Sequence, residues 1–384
     1  MADVQPNSEQ PEPRHTHDAD HEIESLAEFD RAAASGSLAG RRIQSLDLTD
    51  RTFALLSTDT AESVFLGCAM EPAAAAKVRA GGALVFPPLP DLPFDPYRGS
   101  LYGPDELFEG LSRAGYEATP DARTYHWYQQ TRTDGDVFAS MLRSIHDDAV
   151  SDALDEHLAG ARVVGLMGGH AVERGSAAYA GTARLGRLLT RDGLTVATGG
   201  GPGAMEAANL GAYAAPFEDT MLDAALELLA KAPHFTPSLT DWAQVAFEVR
   251  RCWPGGHSSV GIPTWFYGHE PPNAFASHIA KYFVNAVRED GLLARCHAGV
   301  VYLPGAAGTV QEIFDHATPN YYASRGGPTP MVLVNREHWT EMLPAWPLLQ
   351  ALATDRAMAG RIALVDSVDE VPDALARLAS ETAS

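Results

Sequence analysis

Twice in this chain an apolar, strand-like segment ends in glycines and runs straight into a helix-like segment. The first run is Thr198-Gly199-Gly200-Gly201-Pro202-Gly203-Ala204-Met205-Glu206. The second is Leu303-Pro304-Gly305-Ala306-Ala307-Gly308-Thr309-Val310-Gln311-Glu312. Strand, tight turn and helix in alternation build a parallel sheet with helices on both faces. Ligands of such a sheet sit at the carboxyl ends of the strands, where both turns fall. Amide N–H groups at a helix N-terminus there can hold an anion such as phosphate.

The alternation begins near residue 160. Apolar runs predict strands at 162–167, 194–197, 243–249, 259–265, 299–303, 330–334 and 362–365. Helices are predicted at 176–192, 204–214, 217–232, 275–289 and 309–318, with a Trp-rich helical stretch and a final helix. Upstream, strands are predicted at 43–48, 63–68 and 83–86 and a helix at 137–158. The prolines between Pro87 and Pro96 exclude regular structure. The expected fold class is α/β: a Rossmann-like doubly wound parallel sheet with a small mixed N-terminal domain. Composition divides the chain into a disordered acidic tail over 1–40, a small mixed α/β domain over 41–158 and the Rossmann-like domain over 159–384. No internal repeat of fixed period is evident.

The charge narrows the partners. With 50 Asp+Glu against 28 Lys+Arg, the formal charge is −22. That field repels polyanions, which argues against nucleic-acid polymers and anionic membranes while leaving room for a small phosphorylated ligand. The three cysteines, Cys68, Cys252 and Cys296, lack the spacing of a disulfide framework or a zinc site and fit a reducing cytoplasm. The N-terminus carries no basic-then-apolar signal, and no apolar stretch is long enough to span a bilayer. A soluble cytoplasmic protein is expected. His15, His17 and His21 beside Asp18 and Asp20 have no packed scaffold to fix them as metal ligands.

Residue chemistry sharpens the site. Three successive glycines exceed what one turn needs, and the first run is neither the dinucleotide fingerprint nor a Walker A loop. Glu206 and Glu312 each fall early in a predicted helix, where the macrodipole alone favours a carboxylate. For Glu312 the structural alternative is specific: Thr309-Val310-Gln311-Glu312 fits a capping box. Lys281, Asn285 and Arg288 share one face of the predicted helix 275–289, facing either a phosphate or solvent with Glu289 and Asp290 as partners. Arg98 and Tyr102, in and just after the proline-rich stretch, are assigned to packing or an oligomer contact ahead of a ligand.

These runs resemble the LOG ("lonely guy") family of nucleotide 5′-monophosphate phosphoribohydrolases, long mislabelled lysine decarboxylases. Supporting marks are Gly165-Leu166-Met167-Gly168-Gly169, Tyr179 and Glu270-Pro271-Pro272-Asn273; the last looks like a segment of bacterial pyrimidine/purine nucleotide nucleosidases. The resemblance covers residues 160–370. It implies hydrolysis of the N-glycosidic bond of a nucleoside 5′-monophosphate to free base and ribose 5-phosphate, with no metal and no cofactor. It implies a homo-oligomer, usually a dimer. Glu312 takes the catalytic carboxylate role, Arg288 the catalytic arginine role, with Asn285 as helper. Gly168, Gly169, Gly199, Gly200, Gly201, Gly203, Glu206, Gly305, Gly308 and Thr309 are expected to bind substrate. Two departures stand out. Ala306 and Ala307 fill the middle of the second turn, and the family's Arg-Lys pair is changed: matching the aromatic run Tyr282-Phe283-Val284 puts Asn285-Ala286 in its place, while matching the distance to the second turn puts Arg288-Glu289 there. They favour the alternative of a non-catalytic nucleotide-binding regulator. Decarboxylation through pyridoxal is excluded for want of a lysine in a recognisable cofactor-binding context.

Overall fold

The computed structural model describes residues 21–133, 135–267, 270–324 and 327–380, and the chain divides into two units, Met1–Pro90 and Asp91–Ser384. In the first unit, strands β1 (Glu22–Ile23), β2 (Arg42–Gln44), β3 (Val64–Leu66) and β4 (Leu84–Phe86) pair in parallel in chain order. Helices Leu26–Ala34, Thr52–Ser57 and Pro72–Ala80 lie between them. The register joins Glu22 to Arg42, Arg42 to Val64 and Val64 to Leu84, so the chain climbs as a short coil. Left-handed backbone recurs at the same places in the turns. Gly40, Glu62 and Gly82 precede a strand, and Ser45 and Gly67 follow one, all with positive φ. The equivalent position after β4 is Pro87, whose ring forbids positive φ. The coil stops there.

The turns recur in backbone conformation at unequal spacing, through Gly40, Glu62 and Gly82, so the coil has no fixed period, and Ser45 and Glu62 stand where glycine would have marked it. This unit corrects one expectation: the tail expected over 1–40 gives way from residue 22 onward. Ser25 and Glu28 form a capping box on the first helix, and Ile23, Phe29 and Leu38 are buried in the coil's own core. His15, His17, Asp18 and Asp20 lie outside the described residues.

The second unit is a doubly wound α/β layer structure. Its strands are β5 (Val163–Met167), β6 (Thr195–Thr198), β7 (Val260–Gly261), β8 (His278–Ile279), β9 (Gly299–Tyr302), β10 (Met331–Val334) and β11 (Ile362–Val365). They pair in parallel in the order β11-β10-β9-β5-β6-β7-β8. Successive residues serve opposite faces, as a strand's pleat requires. Val164, Leu166, Val301 and Val332 join one core with Leu185, Leu189 and Leu375. Val163, Met167, Val300 and Leu333 join another with Val150, Leu154 and Leu292. From β5 the chain winds outward to β8, then returns to place β9 on the other side of β5. The crevice between β5 and β9 is the topological switch point, and the glycines after both strands open onto it. Among the described residues no helix is long and apolar enough to cross a membrane.

Three boundaries move. Residues 91–158 belong to the unit of the large sheet, because Phe94, Tyr102, Phe108, Tyr116 and Leu154 share a core with Val163, Trp265 and Phe283. The strand expected at 243–249 lies inside helix Leu239–Cys252, capped by Ser238, which buries Trp242, Ala246 and Val249 at helical spacing. The helix expected at 275–289 is in fact β8 followed by helix Asn285–Arg295. Asp147 decides that start by accepting the N–H groups of Phe283 (3.0 Å) and Val284 (2.9 Å).

Candidate functional site

A cavity of about 670 Å³ opens at the switch point, walled by Gly168 and Gly169 after β5, Gly199, Gly201 and Met205 of the first turn, and Pro304 to Thr309 of the second. Arg288, Glu289 and Glu312 project into it from two helices, and His170, Tyr267, Glu270 and His338 complete the wall. It is not the most voluminous concavity: a groove of about 990 Å³ lies along Asp105, Phe247 and Arg251, away from both glycine turns. The switch-point cavity is the one that joins the sequence motifs.

Arg288 is the centre. Its Nε donates to the Ile262 carbonyl (2.7 Å) and its Nη2 to the Gly199 carbonyl (3.4 Å), leaving Nη1 toward Glu312 Oε1 at 3.6 Å. A side chain on Gly199 would collide with that guanidinium, which is why glycine stands there. Glu312 rides on helix Ala307–Tyr322, whose cap residue is Ala306 with φ −118°. The helix therefore starts two residues earlier than expected, and Thr309 is not its cap. The capping-box account of Glu312 fails, and its carboxylate is free to face Arg288. Burial pushes the Glu312 carboxyl up to about 7; the Arg288 charge opposes this, and Glu289 and Asp315 add to it.

With negative φ at Ala306, alanine fits the second turn without glycine's conformational freedom. The amides of Ala307, Gly308 and Thr309 form the open helix end, where no intrahelical acceptor exists. Gly308 has open space above its α-carbon, and the Thr309 side chain is buried at the cavity wall. His338 arrives at the start of the short helical segment His338–Met342 after β10 and bonds the Gly305 backbone, its Nε2 lying 3.0 Å from the carbonyl oxygen.

The first turn is less open than its glycines suggest. The N–H of Gly169 donates to the Pro304 carbonyl (3.1 Å), that of Gly200 to Thr198 Oγ1 (3.0 Å), and that of Ala204 to the Gly169 carbonyl (3.1 Å). Gly200 and Gly203 do not line the cavity. Both have positive φ, and a Cβ would meet the Ile262 amide and Pro263 in one case and the Gly169 and His170 carbonyls in the other. Asn273 of the Glu-Pro-Pro-Asn run fastens this turn. Its N–H donates to Gly200 (2.8 Å), and its Nδ2 donates to Gly201 (3.1 Å) and Asn209 Oδ1 (2.9 Å). His269 of the same segment lies outside the described residues.

Two further assignments are corrected. Glu206 points away from the cavity and is fully buried in a bidentate pair with Arg174 (2.8 and 2.5 Å), which also covers the Trp242 ring. No oxygen of that carboxylate faces a ligand. Asn285 lies beside the cavity and acts indirectly, donating from Nδ2 to Glu289 Oε1 at 2.8 Å. Lys281, expected beside it, is buried 2.5 Å from Asp121 Oδ1, which also accepts the Trp265 indole N–H. Arg98 is a packing residue, lying over the Tyr102 ring and paired with Glu106.

Sequence reasoning passed over His170, Tyr267 and His338 and gave Glu289 no role in the site beyond a solvated partner in one of two alternatives. Their shared signal is position: each follows the carboxyl end of a parallel strand or stands next to Arg288. Glu270 stood within a quoted motif, and its carboxylate lies 3.3 Å from His170 Nδ1 at the cavity mouth.

No family model matches the chain, and no curated protein matches it in sequence. Among solved structures, it is similar to the molybdenum cofactor binding protein of the phototrophic bacterium Rippkaea orientalis, at 14% identity and TM-score 0.35, over 58% of this chain and 98% of that one. It is also similar to the Moco carrier protein of Chlamydomonas reinhardtii, at 16% identity and TM-score 0.32, over 58% and 99%. Likeness at that level says nothing of what this chain binds.

Proposed function

We propose that this chain is a LOG-like nucleoside 5′-monophosphate N-glycosidase that releases free base and ribose 5-phosphate. One observation carries the reading: Arg288 and Glu312, from different helices, meet in a cavity walled by both glycine turns. The phosphate is assigned to the open amides of Ala307, Gly308 and Thr309, where the helix end favours an anion. The Arg288 Nη1 edge and Glu312 flank the sugar. A carboxyl with a midpoint of about 7 is available near neutrality both to give and to take a proton. A cytoplasmic homodimer is part of the same reading.

The test is direct. The full-length protein is incubated with AMP, GMP, IMP, CMP and UMP between pH 5 and 9, and free base and ribose 5-phosphate are measured. Cleavage of at least one nucleotide, lost in E312Q, is expected; no cleavage at any pH ends the reading. A second reading, a nucleotide-binding regulator without catalysis, draws on the Arg288 Nε and Nη2 groups being engaged by carbonyls. It predicts a bound nucleotide recovered intact after long incubation.

A further inference from the structure

The residue after Arg288 is an acid, and the fold holds it in the site. Glu289 is buried, lines the cavity and has both oxygens fixed: Oε1 accepts from Asn285 Nδ2 at 2.8 Å and Oε2 from Gln311 Nε2 at 2.6 Å. Two amide donors thus fix this carboxylate beside the guanidinium. Arg288 Nη1 then lies between two acids, 4.0 Å from Glu289 Oε1 and 3.6 Å from Glu312 Oε1. One guanidinium, already engaged with two carbonyls, cannot neutralise both carboxylates in a buried site. Burial pushes the Glu312 carboxyl up, and the neighbouring Glu289 adds to that rise.

We propose that Glu289 is a positioning residue that occupies one flank of Arg288 and holds Glu312 as a carboxylic acid, so that Glu312 enters the reaction as the proton donor to the departing base. This rests on the nucleotide-cleaving reading above. In the first step the C1′–N bond breaks, its electron pair goes to the base, and the Glu312 proton follows. In the second, water adds its oxygen to the sugar cation at C1′ and returns a proton to the Glu312 carboxylate. The acid is regenerated, and no other reactant is consumed.

The other groups around Glu312 are Asp315 on its own helix, Tyr302 of β9, whose hydroxyl donates to the Glu312 carbonyl at 3.3 Å, and Tyr267 and Glu270 of the loop after β7. His170 and His338 complete the titratable lining. Among these, Glu289 is the acid that shares the Glu312 guanidinium.

The experiment follows the Glu312 carboxyl by carbon-13 NMR in full-length protein labelled at the glutamate side-chain carboxyl, the resonance being assigned by its absence in E312Q. The expected wild-type midpoint is about 7. In E289Q it falls by about one pH unit or more, whereas E289D, which keeps the charge, stays near wild type. E289A replaces E289Q if the latter does not fold. In parallel, the alkaline limb of kcat moves to lower pH in E289Q and stays near wild type in E289D; a merely structural role would lower stability and leave the limb in place. An unmoved midpoint in E289Q or E289A overturns the proposal. If no nucleotide is cleaved by wild type, the functional reading and the proton-donor step fall together. The NMR midpoint still decides whether Glu289 sets the protonation of Glu312.

Discussion

Glu312 illustrates how one residue's chemistry depends on a start site two residues away. With the helix beginning at Ala307, its carboxyl leaves the helix end and enters a buried wall beside Arg288 and Glu289. Its midpoint rises from 4.5 to about 7, so the stabilisation it gives is full below the unfolded midpoint and disappears as pH rises through 7. E312Q, permanently neutral, is therefore expected to match wild-type stability at about pH 4. It should exceed wild type by on the order of 2 kcal/mol at pH 8.5, read by urea unfolding at the two pH values. Glu206 has a partner instead. Both its oxygens are held by Arg174 in a fully buried pair, so R174M strands a charge and should cost about 3–5 kcal/mol. The double variant R174M/E206L should recover much of that loss, again by urea unfolding. If R174M alone is as stable as wild type, the pair has no structural role.

At the scale of elements, short segments set the site more than the long helices do. Asn273 ties the loop after β7 to the glycine turn after β6, and Asp147 fixes where helix Asn285–Arg295 begins and so where Arg288 points. The N-terminal coil obeys an equally local rule. Ser45 and Glu62 occupy positive φ, at 55° and 60°, in positions where Gly67, Gly40 and Gly82 stand in other turns. Side chains pay a steric penalty there that glycine avoids. S45G and E62G should each stabilise the coil by about 0.5–1 kcal/mol, seen as a higher thermal midpoint of that unit. Equal or lower midpoints would show that the side chains at these positions contribute packing that outweighs the strain.

For the molecule as a whole, two consequences follow from the separate cores and the charge. The coil's core and those of the seven-stranded sheet draw on different residues. A chain of residues 91–384 should therefore fold alone and unfold with the midpoint that the sheet unit has in the full protein, measured by calorimetry. Aggregation or a midpoint many degrees lower would refute this. The formal charge of −22 opposes the approach of a nucleotide, so its association rate should rise as salt screens the field, by stopped-flow between 20 and 200 mM salt. A falling rate would mean that local cations steer the ligand more strongly than the net charge repels it.

Much of this was legible in the residues. Alternating apolar runs and glycine turns specify a parallel sheet whose carboxyl ends carry the site, because strand and helix periods and the need for φ > 0 are local properties. The motif spacing likewise marked Glu312, Arg288, Gly199, Gly305 and Thr309, all of which border or reach the cavity. The tertiary structure decided what spacing cannot express. Glu206 and Glu312 occupy matching places in matching motifs, yet one is consumed by Arg174 and the other faces Arg288. Lys281 and Arg288 both looked like cations on one helix face until Asp147 moved the helix start and Asp121 captured the lysine. Glu289, whose helix face spacing left open between ligand and solvent, is held in the wall by Asn285 and Gln311. The two glycine turns announce a site from the sequence alone; which charged groups remain free within it depends on partners far away in the chain, and only packing brings those together.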